Sequence, residues 1–256
     1  ALWVAHLAQL PQLGTLHHHA WLLQELYQQA LPLDPGMTIL DLGCGTGDFA
    51  RALVMNQIYR RAHTPGAPQR PIHYLGVDRS LDNLLAAEQA CKTLYRELQS
   101  TFSEAAAPTP AVTAEWTQSE WDVRLPFSPQ SIDRIISHLS LSVTSSPLAF
   151  LRQAVQTLTR GGRLVLTCVQ PHTDLAGLYR EQLHLAGQDE LSPSAQIFLH
   201  YLGRLHEAIR HGLLHSFDRE QLSELLIHAG AAPIRIVPVL NGQLLLATAR
   251  KGKSAS

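Results

Sequence analysis

The chain has 256 residues, 45% of them apolar, a formal net charge of −1 and a pI near 7.0. That is enough apolar surface for one sizeable core, and it lacks the clustered basic surplus with which nucleic-acid-binding proteins displace phosphate counterions. No run of eighteen apolar residues argues for a membrane span and no charged-then-apolar leader follows Ala1, while the three scattered cysteines, Cys44, Cys91 and Cys168, point to a reducing compartment, so a cytoplasmic protein is expected.

In chain order, residues 15–30 are helix-compatible, with Trp21, Leu22, Leu26 and Ala30 spaced for one face, and Leu31-Pro32-Leu33-Asp34-Pro35-Gly36 stops that helix. His17, His18 and His19 are consecutive, so on a helix they point about 100° apart and cannot share a metal as an i, i+4 pair could. No metal site is expected. The run from Ile39 to Phe49 then joins a short apolar strand to a glycine-crowded turn and a helix. Gly43, Gly45 and Gly47 let backbone approach a ligand closely, and the helix start offers unpaired N–H groups there. The spacing is G-x-G-x-G behind an acidic residue, not the G-x-G-x-x-G of dinucleotide sites. Asp41 favours a cationic or amine-bearing ligand over a pyrophosphate.

A second strand-like run, Ile72 to Asp78, ends in a carboxylate suited to ribose hydroxyls. Its offset from Gly47 exceeds the ~20 residues usual for such units, and the polar stretch Asn56 to Pro71 is read as an inserted loop. Arg51, Arg60, Arg61, Arg70 and Arg79 crowd this unit, as solvated charges or as a field that steers an anionic acceptor. Ser80 is a candidate N-cap for a helix from Leu81 to about Glu97, and a third strand is expected around Ala111 to Thr117. Leu125-Pro126-Phe127 precedes the strand-like run Ser131 to His138, Pro147 opens a helix, and Arg160-Gly161-Gly162 leads into the run Arg163 to Thr167. The Leu- and His-rich segment from Pro171 to His215, with His200, His206 and His211, is too long for a turn.

Four of these passages, in this order, resemble the motifs of class I S-adenosylmethionine-dependent methyltransferases of the small-molecule type: the LDLGCGTG turn, Asp78 at the end of strand 2, Leu125-Pro126-Phe127 with strand 4, and the Arg160–Thr167 turn and strand. The resemblance spans roughly residues 37–169, and Phe217 to Lys251 fits the family's final helix and antiparallel strand pair. It implies an α/β, Rossmann-like doubly wound seven-stranded sheet of order 3-2-1-4-5-7-6, strand 7 antiparallel, with helices on both faces and a helical insertion after strand 5. One methyltransferase domain is expected over 1–256, with 1–36 an N-terminal helical segment and 171–216 a cap over the acceptor pocket. An edge cover or dimer surface is the alternative for that insertion.

The resemblance further implies S-adenosyl-L-methionine as cofactor, with Gly43, Cys44 and Gly45 against its methionine and ribose and Asp41 near the amino end. Asp78 would bind the ribose hydroxyls, Arg79 would flank the adenine, and Asp122 or the backbone beside Trp121 would approach the adenine amino group. Ser137 and His138 would border the methionine and the acceptor, and His138 is the candidate catalytic residue, as general base or as an orienting group. The implied partner is a small-molecule or carrier-bound methyl acceptor, with no nucleic acid. Ser137-His138-Leu139-Ser140 stands where an Asn-Pro-Pro-Tyr-type motif would signal base or glutamine N-methylation. Two other classes stay open: a cofactor-holding but catalytically idle subunit or assembly factor, and a nicotinamide-dependent oxidoreductase.

Overall fold

In the computed structural model, which describes residues 17–63, 70–101, 111–120, 124–185 and 193–252, strands and helices alternate from the first helix to strand 3, strand 4 follows with no α-helix between among the described residues, and a helix separates strand 4 from strand 5. Seven strands make one sheet: β1 (Thr38–Leu42), β2 (Ile72–Asp78), β3 (Val112–Gln118), β4 (Ile132–His138), β5 (Leu158–Val169), β6 (Ala231–Val239) and β7 (Leu244–Lys251). Their spatial order is β3-β2-β1-β4-β5-β7-β6. β7 runs antiparallel to both neighbours, and the other pairings are parallel. The order and the reversed strand are those expected from the sequence.

Both faces of the sheet are covered, which is why the central strands read as nearly continuous apolar runs. On one side lie α1 (His17–Ala30), α2 (Asp48–His63), α3 (Leu81–Thr101), α5 (Leu175–Leu185) and α6 (Pro193–Arg210), sharing a core with Ile39, Tyr74, Ile136 and Val165. On the other lie α4 (Pro147–Thr157) and α7 (Arg219–His228), packed against Leu40, Val77, Ile135 and Leu166. The alternation of residues between the two clusters is the period-2 alternation of the strands.

Helix α1 docks because Leu22, Leu26 and Ala30 recur one turn apart and are all buried. Each leucine contributes about 1.5–3 kcal/mol of apolar burial. Its end is held by two arginines that register side by side on β4 and β5. Arg134 donates to the carbonyls of Ala30 and Pro32, and Arg163 to those of Gln29 and Leu31, at 2.6–2.7 Å. These satisfy carbonyls that a helix C-terminus leaves unpaired. Lys251 does the same beyond α4, donating to Gln156 and Leu158. At the start of α7, Asp218 and Gln221 form a reciprocal capping box.

One local expectation fails. Residues 56–71 are not a single inserted loop, because α2 continues through Asn56 to His63. No Gly or Pro interrupts this stretch before Pro65, and two of its side chains are tied inward. Gln57 donates to Tyr27 of α1, and Arg60 donates to the Leu33 carbonyl. Tertiary anchoring thus extended a helix whose polar composition had suggested a loop. The segment after β5 forms the helix pair α5–α6, and its apolar residues, among them Leu178, Leu183, Leu202 and Leu205, enter the same core as β5 and β7. No helix among the described residues is long and apolar enough to cross a membrane.

Candidate active site

The glycine turn sits between the end of β1 and the start of α2, and the end of β2 shapes it. Gly43 and Cys44 both donate backbone N–H to the Val77 carbonyl, at 2.8 and 3.0 Å, and Gly45 donates to Asp78 Oδ2 at 2.9 Å. Three successive amides thus fold toward one strand end. Such a tight course needs positive φ, and Gly43, Gly45 and Gly47 sit at +73°, +53° and +80°. Gly47 then starts α2, its carbonyl accepting from Arg51.

Asp78 is a junction. Its Oδ2 holds Gly45, while Oδ1 accepts from Ser80 N–H at 2.9 Å and from Asn83 Nδ2 at 3.3 Å. Ser80 Oγ accepts from the Asn83 N–H, the N-cap expected at the start of α3. The carboxylate keeps lone-pair capacity beyond these three donors.

Asp41 lies beneath the turn, 2% exposed, with Oδ2 accepting from Tyr74 Oη at 2.7 Å. Burial raises its carboxyl to about 7, opposed by the Tyr74 bond and reinforced by Asp78 and Asp48. Cys44 is buried as well, and desolvation together with Asp41 and Asp78 pushes its thiol well up. Across the sheet Asp41, Gly76 and Trp116 are in register on β1, β2 and β3. A Cβ on Gly76 would stand 2.6 Å from the Trp116 ring, so the glycine is what admits the indole beside the turn.

His138 and Ser137 leave opposite faces of β4. Ser137 is fully buried, and its Oγ finds no hydrogen-bond partner among the described residues. His138 Nδ1 lies 2.7 Å from Thr167 Oγ1 on β5, and the chain then turns through Leu139 at φ +61°. Ser140 Oγ donates to the Leu42 carbonyl at 2.7 Å, tying this turn to the residue before Gly43. The far end of the helical insertion arrives here too, His215 N–H donating to the Ser142 carbonyl. Leu125, Pro126 and Phe127 line a groove of ≈ 550 Å³.

Of the sequence-based site residues, Asp41, Gly43, Cys44, Gly45 and Asp78 are thus brought together at the ends of β1 and β2. Ser137 and His138 stand at the end of β4, and Arg79 follows Asp78 with its Nε 3.3 Å from Glu120. Trp121 and Asp122 lie outside the described residues, as do the side chains of His17, His18 and His19. The arginines around the first unit are largely engaged: Arg51 pairs with Asp48, Arg60 with a carbonyl and Arg79 with Glu120. Sequence reasoning missed Tyr74, Trp116, Ser140 and Thr167. Tyr74, Trp116 and Thr167 lay on strands already expected, but which partner each meets is set by pairing across the sheet.

A doubly wound sheet of this order, with a glycine cradle at the β1–α2 turn and a carboxylate at the end of β2, defines a nucleoside-binding α/β enzyme of the methyltransferase kind. The chain belongs to the methyltransferase domain family, which it matches over residues 16–236. S-adenosylmethionine-dependent methyl transfer is its class of activity, and the nicotinamide alternative falls. The chain is 27% identical over 237 residues to a 2-phytyl-1,4-naphtoquinone methyltransferase of Thermosynechococcus vestitus, covering 91% of this chain and 88% of that protein. Solved structures share the fold, two of them being the following. Phosphoethanolamine N-methyltransferase 2 of Haemonchus contortus, in complex with phosphomonomethylethanolamine and S-adenosylhomocysteine, superposes with a TM-score of 0.56 at 14% identity, covering 90% of this chain and 52% of that one. The chain therefore spans about half the length of that enzyme. A methyltransferase of Thermotoga maritima gives 0.51 at 16% identity, covering 90% and 88%.

The cradle fits the cofactor. A Cβ built on Gly45 meets nothing within 4 Å, so the space in front of this turn is open where the ligand would lie. Gly45→Val therefore tests the cradle cleanly. A Cβ here meets no protein atom, so the main cost to the fold is the ~1–2 kcal/mol of a left-handed conformation, while binding of S-adenosylhomocysteine by calorimetry is expected to be abolished. Retained binding places the ligand elsewhere. Asp78→Ala removes the anchor of Gly45 and Ser80 together with the carboxylate expected to accept the ribose hydroxyls. It is expected to weaken cofactor binding by about 2 kcal/mol and to lower the melting temperature. Unchanged affinity undoes the ribose assignment.

Proposed function

We propose that this protein methylates a small, largely apolar acceptor carrying an ionisable ring hydroxyl, a reduced quinone being the best match. The single observation that carries the reading is the open glycine cradle beside Asp78, with His138 at the neighbouring strand end. The naphtoquinone methyltransferase relative supports the acceptor class. S-adenosylmethionine supplies a methyl already activated on sulfur, so the chain's own task is to bind, align and exclude water, and alignment alone is worth ~7–11 kcal/mol.

In this reading Gly43, Cys44 and Gly45 carry the methionine and ribose, Asp41 attracts the ammonium, Asp78 holds the ribose hydroxyls, and Arg79, Trp121 and Asp122 border the adenine. Ser137 and His138 border the methionine and the acceptor at the end of β4, with His138 on the acceptor side. The imidazole there takes or steers a hydroxyl proton, which raises the electron density of the ring. Helices α5 and α6 cap the acceptor. Their apolar residues, packed in one core with β5, support a water-poor pocket.

The test is turnover. Purified protein with S-adenosylmethionine and a panel of acceptors, namely reduced naphthoquinones and benzoquinones, phosphoethanolamine and histamine, is assayed for S-adenosylhomocysteine and methylated product. Product from the reduced quinones is expected. Cofactor binding without product from any acceptor favours a cofactor-holding subunit, and product only from the amines removes the quinone reading.

A further inference from the structure

The strongest unassigned feature is the partner of Asp41. Tyr74 is fully buried in the middle of β2, and its hydroxyl donates to Asp41 Oδ2 at 2.7 Å. Tyr74 and Asp41 stand diagonally across β1 and β2, since Asp41 registers with Gly76 and Tyr74 with Ile39. The diagonal is long for most pairs but within reach of a tyrosine. Trp116 tilts against the Tyr74 ring, centroids 5.3 Å apart, and fixes its orientation.

The charged and titratable groups around Asp41 are Asp78 on β2, Asp48 at the start of α2, Cys44 in the turn and Tyr74 itself. Asp48 is paired with Arg51 and still adds to the negative field at Asp41. Asp78 is held by neutral N–H donors, and no cation pairs with Asp41 among the described residues. A buried carboxylate with one hydrogen bond and acidic neighbours is costly, and a cationic ligand end relieves that cost.

We propose that Tyr74 is a positioning residue for the cofactor: its hydroxyl orients the Asp41 carboxylate beneath the glycine turn and favours its charged form, presenting the second oxygen to the methionine ammonium. The inference rests on the placement of Asp41 at the amino end of the cofactor given above. The tyrosine is a donor throughout the neutral range, because burial and Asp41 push its own ionisation well above 10. Asp41 titrates near neutrality, raised by burial to about 7 with the Tyr74 bond opposing that rise. The ionised form is the one that attracts the ammonium, so affinity falls as pH drops through that value. Without the hydroxyl, Asp41 takes its proton at higher pH and the fall comes earlier.

The experiment is calorimetric titration of the full chain with S-adenosylhomocysteine between about pH 6 and pH 8.5, a range that brackets the Asp41 value of about 7. For Tyr74→Phe, which keeps the ring, the loss of affinity on acidification should begin about one pH unit higher, giving ~5-fold weaker binding near neutrality, ~10-fold toward pH 6, and approach to wild type at the alkaline end. Asp41→Asn should bind weakly with no pH dependence in this range. A Tyr74→Phe profile identical to wild type, or a loss equal at every pH, overturns the proposal. Should that variant not fold, retained pH dependence in Asp41→Asn overturns it instead. Asp78→Ala separates the two levels. If it binds as wild type does, the cofactor site itself is wrong; if it loses affinity while Tyr74→Phe keeps the wild-type profile, only the role of Tyr74 is lost.

Discussion

Replacing Asp41 by asparagine is expected to stabilise the ligand-free protein by up to about 4 kcal/mol above pH 7 while it weakens cofactor binding. The sign follows from proton linkage. Burial raises this carboxyl from 3.8 to about 7, so between those pH values the folded chain holds a proton that the unfolded chain has released. Stability therefore falls as pH rises through that window and levels off above it. The rise from the ordinary carboxylate range to about 7 sets the scale, at about 1.36 kcal/mol for each tenfold change in proton affinity. Asparagine carries no such proton and still accepts from Tyr74, so the gap between variant and wild type should open from pH 4 to pH 7 and stay constant beyond. For a chain of this size that amounts to on the order of 10 °C in melting temperature. Thermal denaturation at pH 4.5 and pH 8 measures it. A gap of the same size at both, or none at pH 8, removes Asp41 as a strained ligand-binding group. Instability concentrated in one carboxylate at a binding site is the trade of stability for function seen where sites must hold uncompensated charge.

His138→Gln is the second large effect: kcat is expected to fall by about 10²–10⁴-fold, with the acidic limb of the pH–rate profile flattened. The structure adds a constraint. Thr167 Oγ1 lies 2.7 Å from Nδ1 and also 3.2 Å from the Leu139 N–H, which donates to it. If Nδ1–H donates to the threonine, Nε2 carries the lone pair a base needs; if the hydroxyl donates to Nδ1, the proton sits on Nε2 and base action there is lost. Thr167→Val keeps the β-branched shape and removes the hydroxyl. It should move the acidic limb in the first arrangement and leave it in place in the second. A His138→Gln enzyme with a raised KM and an unaltered pH profile makes the imidazole an orienting group only.

The features that fold and function share with neighbouring residues in the chain were legible from sequence. LDLGCGTG lies within eight consecutive residues because a strand, a tight turn and a helix start are local, and positive φ at Gly43, Gly45 and Gly47 is a local demand. Asp78 was readable because it ends an apolar strand, and the alternation of strands and helices implied a parallel sheet wound on both faces. The helix over Pro147–Thr157 was announced by its proline and its apolar spacing.

What only the tertiary structure decided involves residues that meet across strands. Asp41 was readable as an acidic group of the turn, but only register with β2 buries it against Tyr74 and raises its carboxyl to about 7. The role of Gly76 comes from the β3 register, which sets the Trp116 ring over it. Thr167 is 29 residues from His138 and reaches it only through the β4–β5 pairing. The polar stretch after Asn56 became helix because Gln57 and Arg60 found partners in α1 and its exit, 30 and 27 residues away. Local propensity is written residue by residue along the chain. Burial, registration and the charge state of a carboxylate depend on which distant segments fold against it, so they are decided only when the sheet assembles.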